Sequence, residues 1–298
     1  MDLNTLHTFA SVVTAIVLEA APFLLLGSLA AGLVEVLAPE GALERLLPSS
    51  LAGRIAAGLL AGLILPSCEC GMVPLARRLL RKGLPVAAAV PYMLAGPVVN
   101  PVCLLSTWVA YRGDWAMVLL RVGLVAAPAA LLGWLLGRKQ ALEVLAPGQE
   151  LEGRGCSCGC GHRHGSRLVA ILRHTAEEFL DMGRFLVFGA LASAAFKVFL
   201  PQPALEALAG SPVLAVPAMM LLAVLLSVCS QADAFVAASL TMFPRSAHLA
   251  FLALGPVLDL KLIPAYLAVF RWPVFRLLIW VPVLLIFILC LGLGLVWG

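Results

Sequence analysis

Charged residues are scarce in this chain of 298 residues, and their scarcity excludes most soluble folds. Asp, Glu, Lys and Arg make up 12% of the sequence, whereas an average globular protein carries about 25%. Apolar residues reach 62%, and the mean hydropathy is +1.03. Disorder is excluded as well, because a disordered chain combines low hydrophobicity with high net charge. The composition is that of a polytopic membrane protein built as one helical bundle.

Two further features are missing from the sequence. The net charge of only +4 gives no basis for a nucleic-acid partner. The G-x-x-x-x-G-K-[ST] motif of nucleotide-driven proteins does not occur. We therefore expect no nucleic-acid partner, and any transport would use an ion gradient or the gradient of the substrate itself. A transporter is expected rather than an enzyme.

Apolar stretches follow one another along the chain and predict its membrane segments. Two of them are shorter than the roughly 20 residues of a spanning helix, and each is followed by a polar break, at 65–71 and 227–233. Irregular backbone at membrane depth is tolerated only where protein or an aqueous cavity satisfies it, so paired breaks indicate a transport site. The stretches lie at 8–37, 51–66, 84–111, 114–137, 174–200, 213–228, 246–270 and 273–297.

The two halves of the sequence resemble each other and predict an internal duplication. At an offset of 162, Glu19, Phe23, Leu24, Gly27, Leu29 and Ala30 match Asp181, Phe185, Leu186, Gly189, Leu191 and Ala192. At an offset of 159, Cys70, Pro85, Gly96, Pro97, Val98 and Arg112 match Cys229, Pro244, Gly255, Pro256, Val257 and Arg271. We predict an all-α polytopic membrane protein with a first repeat at 1–137, a cytoplasmic linker at 138–166 and a second repeat at 167–298.

The distribution of Lys and Arg favours re-entrant hairpins at the two breaks. If both broken helices crossed the membrane, Arg45, Arg54, Arg271 and Arg276 would lie opposite the basic run at 77–82, against the positive-inside rule. With hairpins, all of these residues and the linker become cytoplasmic, and Arg112, Arg245 and Lys197 lie outside. The prediction is six full spans, two hairpins that meet near the midplane, and inverted repeats. Eight full spans are the alternative.

The first break contains Cys68, Glu69 and Cys70. Thiolates are soft ligands that suit zinc, copper(I) or trivalent arsenic. A buried cysteine can also be a small apolar packing residue. An ionisable residue such as Glu69 is costly within a membrane segment and marks a functional site, so we predict that this break binds a soft metal ion or metalloid.

The second break supplies four candidate residues, Cys229, Ser230, Gln231 and Asp233. Cys229 is the repeat counterpart of Cys70. Asp233 follows Cys229 by four residues, so the two would share one face of a helix. The alternative for Asp233 is an N-cap of a helix that begins at Ala234.

Polar residues also follow the Gly-Pro-Val sequence in both halves. Asn100 and Asp259 occupy equivalent positions there, and we expect them to converge with the two breaks at the repeat interface. The simpler alternative for Asp259 is a pairing with Lys261. Cys103 and Cys290 are interpreted as packing residues.

Two acidic residues stand at equivalent positions in the first helix of each half. Glu19 and Asp181 are candidates for a gate or a proton relay. Arg184 lies at helical spacing from Asp181, so a plain intrahelical ion pair is the alternative there. If transport is linked to protons, we expect Glu19, Asp233 and Asp259 to be the titrating groups.

The linker contains three cysteines and two histidines within nine residues. Short tracts rich in Cys and His are typical of metal binding, but a second C-x-x-C arm is missing and glycines interrupt the tract. We predict an exposed cytoplasmic site that catches a soft metal, with thiols kept reduced. Its candidate ligands are Cys156, Cys158, Cys160, His162 and His164.

Four motifs of the sequence resemble those of a known family. They read CECGMVPLARRLLRKG at 68–83, MLAGPVVNP at 93–101, CSQADAFVAAS at 229–239 and GPVLDLK at 255–261. These motifs are similar to those of the predicted permeases related to the organoarsenical efflux permease ArsP, and especially of the YcgR-type branch. The resemblance implies a multi-pass permease of the bacterial inner (plasma) membrane, whose relatives are linked to efflux of organoarsenicals or of copper and zinc.

The leading functional hypothesis is a secondary transporter for a soft metal ion or metalloid, with zinc or copper(I) as first choice. An organoarsenical efflux permease is the nearest alternative. A membrane thiol-disulfide oxidoreductase is another, although the C-x-C spacing and the intramembrane carboxylates argue against it. A third alternative is a subunit that works only with a partner protein, such as one that handles the metal.

Overall fold

A computed structural model describes residues 3–37, 47–64, 68–147, 167–199 and 212–297, which form helices joined by short turns. The first half contains α1 (Leu3–Leu37), α2 (Leu51–Ile64), α3 (Glu69–Arg81), α4 (Val86–Ala95), α5 (Pro101–Ala110) and α6 (Trp115–Leu136). A short α7 (Ala141–Val144) follows. The second half contains α8 (Arg167–Phe199), α9 (Pro212–Leu226), α10 (Asp233–Ser239), α11 (Arg245–Leu254), α12 (Leu262–Val269) and α13 (Trp272–Trp297). The all-α prediction is confirmed.

Three of the described helices are long and apolar enough to cross a membrane, at His7–Leu37, Trp115–Leu136 and Trp272–Leu295. Shorter apolar helices lie at Leu51–Leu63, Val86–Ala95, Pro101–Ala110 and Leu214–Leu226. Helix α8 is nearly as long as α1, but acidic and basic residues interrupt its apolar sequence. The chain is a multi-pass membrane protein.

Both halves contain the same succession of helices. Helices α1 and α8 have 35 and 33 residues, α2 and α9 have 14 and 15, α4 and α11 have 10 each, and α6 and α13 have 22 and 26. The packing pairs repeat as well, because α4 contacts α2 and α6 while α11 contacts α9 and α13. Between the halves, α3 contacts α12 and α5 contacts α10. This pairing agrees with the predicted duplication, and inversion of the repeats stays a prediction.

Contacts along α2 and α3 identify a hairpin at the first break. Gly58 packs on Ala88 and Gly62 packs on Gly96, so α2 and α4 run in the same direction. These glycines allow backbone contact that a Cβ would block. Met72, near the start of α3, also contacts Gly96, whereas the end of α3 leads into the start of α4. Helix α3 therefore returns to the end of the bundle from which α2 departs.

The second break reverses the chain in the same way. Ala223, near the end of α9, faces Gly255 at the end of α11. After α10, the carbonyl oxygen of Leu240 lies 3.1 Å from Nε2 of His248, which is close to the start of α11. Helix α10 therefore leads back toward the end of the bundle at which α11 begins.

Two ends of the bundle can be distinguished by their contacts. At the linker end, α7 joins the start of α13 through a hydrogen bond from Arg271 Nε to the carbonyl oxygen of Leu145. Gly137, the C-cap of α6, packs there against Leu51 at the start of α2. At the opposite end, called the distal end here, Arg245 forms an ion pair of 3.2 Å with Asp114.

A buried ion-pair network ties three helices together near the linker end. Glu178 of α8 lies 3.0 Å from Arg77 and 2.7 Å from Arg78 of α3. Arg78 also lies 3.1 Å from Glu35 of α1, and Lys82 lies 3.7 Å from the same carboxylate. Arg77, Arg78 and Lys82 therefore hold α3 against α1 and α8. They belong to the basic run at 77–82 on which the predicted membrane orientation rests.

Candidate functional site

Glu69 joins the tip of the first hairpin to the second half of the protein. It is the first residue of α3, because Cys68 before it has an extended N-cap conformation. The Glu69 residue is 2% exposed. Its carboxylate accepts a hydrogen bond of 3.0 Å from the hydroxyl of Ser230 and lies 3.4 Å from the ammonium of Lys261. The two breaks thus meet through Glu69 and Ser230, as the sequence predicted.

Lys261 is a buried cation shared by two carboxylates. Its ammonium lies 3.4 Å from Glu69 and 3.3 Å from Asp259. Gly189 of α8 packs against the backbone and side chain of Lys261, with no space for a Cβ. The simpler alternative for Asp259, a pairing with Lys261, is therefore observed. The same ammonium joins Asp259 to Glu69. Glu69, Ser230, Lys261, Asp259 and Cys229 are together called the Glu69 cluster.

Asn100 and Asp259 make equivalent hydrogen bonds in the two halves. Asn100 Oδ1 accepts from the backbone N–H of Val102, at the start of α5. Asp259 Oδ1 accepts from the backbone N–H groups of Lys261 and Leu262, at the start of α12. Both side chains therefore satisfy helix N-termini. Asp259 joins Glu69 through Lys261, whereas the contact of the Asn100 side chain is this structural one, and its place in the site stays a prediction.

Thiols from both breaks lie near Glu69. The thiol of Cys229 is 4.0 Å from the Glu69 carboxylate, and Cys68 and Cys70 flank Glu69 in the chain. Cys70 also lines a small cavity together with Lys261. Within the described ranges, no three His, Cys, Asp or Glu side chains are arranged so that they could hold a metal ion. The predicted ligands are neighbours, and their function as ligands stays a prediction.

Asp233 of the second tip is bound by an arginine from the first half. Arg121 of α6 donates to Asp233 at 2.6 Å, to the carbonyl oxygen of Ser230 at 3.1 Å and to the hydroxyl of Thr107 at 2.6 Å. Arg121 and Asp233 are each 1% exposed. The sequence analysis missed Arg121, although a single arginine within the apolar stretch 114–137 was a sufficient signal.

Asp233 is not the N-cap residue of its helix. Helix α10 begins at Asp233 itself, with Ala232 as the N-cap residue, and the cap has no side-chain hydrogen bond. The backbone N–H of Asp233 donates to the carbonyl oxygen of Cys229 at 3.0 Å, which places the two residues one turn apart as predicted. Gln231 contributes its backbone, through a hydrogen bond to the Cys229 thiol.

Cys103 has a contact that a pure packing role does not require. Its thiol donates to the carbonyl oxygen of Ser230 at 3.1 Å, beside Arg121. Cys290, in contrast, is buried among the apolar residues of the core. The packing interpretation therefore describes Cys290 well and Cys103 only in part.

Glu19 and Asp181 have different surroundings despite their equivalent positions in the repeat. Glu19 lines a small cavity together with Cys229 and Lys261, so it lies beside the cluster. Asp181 forms an ion pair of 2.6 Å with Arg184, and both side chains are exposed. The intrahelical alternative is therefore observed for Asp181, which does not join the Glu69 cluster.

The predicted metal ligands of the linker lie outside the described residues. These are Cys156, Cys158, Cys160, His162 and His164. The proposed catch site stays a prediction from composition.

Comparison with known proteins gives the family of this chain. The family described as "Predicted permease" (ArsP_1) matches residues 5–295. The UPF0718 protein YcgR of Bacillus subtilis (strain 168) is 34% identical over 266 residues, which are 88% of this chain and 88% of that protein. A "Putative two-component membrane permease complex subunit" of Streptococcus mutans serotype c is 34% identical over 283 residues, 94% of this chain and 93% of the relative. No solved structure matches significantly. The chain therefore belongs to the ArsP_1 family of predicted membrane permeases.

Proposed function

We propose that this permease moves a soft, thiol-binding cation through the cluster around Glu69, with zinc or copper(I) as the first choice. One observation carries the proposal: the Lys261 ammonium lies between two buried carboxylates, with cysteines from both hairpin tips beside it. A site that holds one buried cation has the charge to hold another.

The charges of the region support exchange of one cation for another. Arg121 neutralises Asp233 through a contact of 2.6 Å. The other two carboxylates, Glu69 and Asp259, share the single charge of Lys261. A buried charge without a partner is costly, so the bound substrate would take over the carboxylates as the ammonium of Lys261 moves away.

The thiols supply the preference for a soft ion. Carboxylates alone suit hard cations such as magnesium or calcium, whereas thiolates select zinc and copper(I). Cys70 and Cys229 come from opposite hairpins, so a bound metal would link the two tips. Thiols lose protons when they bind a metal, which couples binding to proton release. We propose Asp233, Asp259 and Glu19 as the groups that take up or relay these protons.

Two alternatives differ from this proposal in the residues they require. A trivalent organoarsenical would need the thiols of Cys68, Cys70 and Cys229 but not the carboxylate of Glu69. The relative in Streptococcus mutans is named as a subunit of a two-component complex. By analogy, a partner protein would then be needed before any flux occurs.

The test is flux into proteoliposomes that contain the purified chain alone. Zn²⁺, Cu⁺ and a trivalent organoarsenical are offered separately to the wild type, to Glu69→Gln and to Glu177→Gln. Glu177 is a matched control, because it is an exposed acid that pairs with Arg173. We expect metal flux in the wild type and in Glu177→Gln, and a loss of at least tenfold in Glu69→Gln.

Other outcomes would replace the proposal with one of its alternatives. Arsenical flux that survives Glu69→Gln but is lost in Cys70→Ser would identify an organoarsenical permease. Flux that begins only when a second protein is added would identify a subunit of a complex. Equal metal flux in the wild type and Glu69→Gln would remove Glu69 from the site.

A further inference from the structure

Four buried polar atoms lie close together between α5, α6, α10 and α11 without a hydrogen-bond partner among the described residues. They are the hydroxyl oxygen of Tyr111, Nε of Arg121, Oδ1 of Asp233 and Nδ1 of His248. The rings of Tyr111 and His248 are 6.0 Å apart, and Tyr111 lies within electrostatic range of Arg121 and Asp233. Buried polar groups normally have hydrogen-bond partners. Four such atoms without a partner in one region therefore require a common explanation.

These atoms form a series that leads inward from the distal end. Arg245, paired with Asp114 on the surface, begins α11, and His248 follows within one turn. Tyr111 ends α5, and Thr107 lies one turn deeper, where its hydroxyl accepts from Arg121. The series therefore connects the distal surface with the Arg121–Asp233 pair.

The pattern of donors and acceptors identifies the class of the missing partner. Nε2 of His248 faces the carbonyl oxygen of Leu240 at 3.1 Å, so Nε2 carries the hydrogen of the neutral ring and Nδ1 is an acceptor. Asp233 Oδ1 is a second acceptor. Arg121 Nε and the Tyr111 hydroxyl are donors. An anion would face Asp233, and a cation would face Arg121, so neither satisfies all four atoms. Water donates and accepts, and it fits each of them.

We propose that a water-filled passage connects the distal end of the bundle with Asp233, along Tyr111 and His248. The passage is separate from the cysteines around Glu69. Its waters and the Nδ1 atom of His248 can pass protons to Asp233 from the distal side. The passage itself does not depend on the identity of the substrate, and only the use of its protons rests on the proposed function.

The charged and titratable groups that surround His248 are few. Arg245 is on the same helix, Tyr111 and Asp114 lie at the end of α5 and the start of α6, and Arg121 and Asp233 lie deeper. Helix α9 has no charged residue, and the only charged residue of α13, Arg276, lies near the linker end of that helix. His248 and Asp233 are therefore the groups of this region that can accept and release a proton along the passage.

The experiment measures the reaction of introduced thiols with a small water-soluble methanethiosulfonate reagent. The purified full chain is placed in lipid nanodiscs, so that both faces meet the reagent, and the rate of the parent chain is subtracted. His248→Cys probes the outer part of the passage, and Asp233→Cys and Thr107→Cys probe its inner end. The matched controls are Leu249→Cys and Ala237→Cys, which lie on the same helices α11 and α10 and are 0% exposed.

We expect all three probes to react at least tenfold faster than the two controls. Thr107→Cys keeps Asp233 intact, so the inner end is tested even if Asp233→Cys does not fold. Probes that react as slowly as the controls would overturn the passage. Reaction of His248→Cys alone would show that water stops short of Asp233, which also overturns it. No transported metal is present in the assay, so a failure of metal flux would leave this result unaffected.

Discussion

The two hairpin tips carry one buried carboxylate each, and each is bound by a cation from the opposite half of the protein. Glu69 of the first tip meets Lys261, and Asp233 of the second tip meets Arg121. The pairing is reciprocal, but it does not follow the repeat. At the offset of 159, the position equivalent to Lys261 is Val102, and the position equivalent to Arg121 is Trp280.

The two pairs differ in how firmly the cation is held. Arg121 makes hydrogen bonds to three acceptors at 2.6 to 3.1 Å, and its rigid planar group suits fixed geometry. Lys261 is a point charge on a flexible chain, and it lies at 3.3 and 3.4 Å from two carboxylates. The Arg121 pair is thus held more rigidly than the Lys261 pair, and the Lys261 pair is the one that the proposed function requires to open.

The largest effect on stability is expected when the ion pair between Arg121 and Asp233 is lost. Arg121→Leu leaves Asp233 buried without its partner, which costs about 3–5 kcal/mol. We expect a strong fall in the thermal unfolding temperature of the purified protein in detergent. The double variant Arg121→Leu, Asp233→Leu should recover most of the loss, because no unpaired charge remains. A single variant as stable as the wild type would contradict the structural role of this pair.

The next largest effect, on metal flux, is expected at the thiols beside the ion pair of Lys261 and Glu69. Cys70→Ser should abolish metal flux in proteoliposomes with little change in thermal stability, because a hydroxyl is a poor ligand for a soft metal. Cys290→Ser is the control, since Cys290 lies in the apolar core. Normal flux in a Cys70→Ser, Cys229→Ser double variant would remove both thiols from the site.

A smaller effect of opposite sign, tighter binding of metal, is expected when Lys261 is replaced. Lys261→Gln removes the ammonium that competes with the substrate for Glu69 and Asp259. Zn²⁺ should therefore bind about tenfold more tightly, equivalent to about 1.4 kcal/mol, and should be released more slowly. Calorimetric titration of the purified protein measures the affinity, and Arg184→Gln is the exposed control. Weaker binding in Lys261→Gln would show that the ammonium supports the site rather than competing for it.

The smallest effect is expected at the linker tract. Deletion of 156–164 should change the apparent affinity for metal a few-fold and leave turnover at saturating metal unchanged. Flux measured over a range of metal concentrations separates these two quantities. Turnover that falls with the deletion would place the tract within the transport step itself.

The elements that sequence analysis predicted well depend on local patterns. Apolar runs interrupted by Pro-Ser-Cys and Val-Cys-Ser predicted the two breaks, and the helices end and restart there. The repeat register placed Asn100 and Asp259 at equivalent positions, and both accept hydrogen bonds from the backbone at the start of the following helix. Such features follow from a few neighbouring residues.

The predictions that failed or stayed incomplete depend on contacts across the chain. The capping alternative for Asp233 did not consider Arg121, which is 112 positions distant. No local pattern specifies which buried cation meets which buried carboxylate.

The sequence by itself determined that this chain is a helical membrane protein with two similar halves and a cysteine and a carboxylate at each break. Hydrophobicity, helix-breaking residues and repeat register are properties of the sequence itself. They do not depend on how the segments pack against each other. The tertiary structure alone decided that each carboxylate is neutralised from the other half, by Lys261 at one tip and Arg121 at the other. A buried charge acquires its partner only when the helices pack, because the pairing depends on distances that no single segment contains.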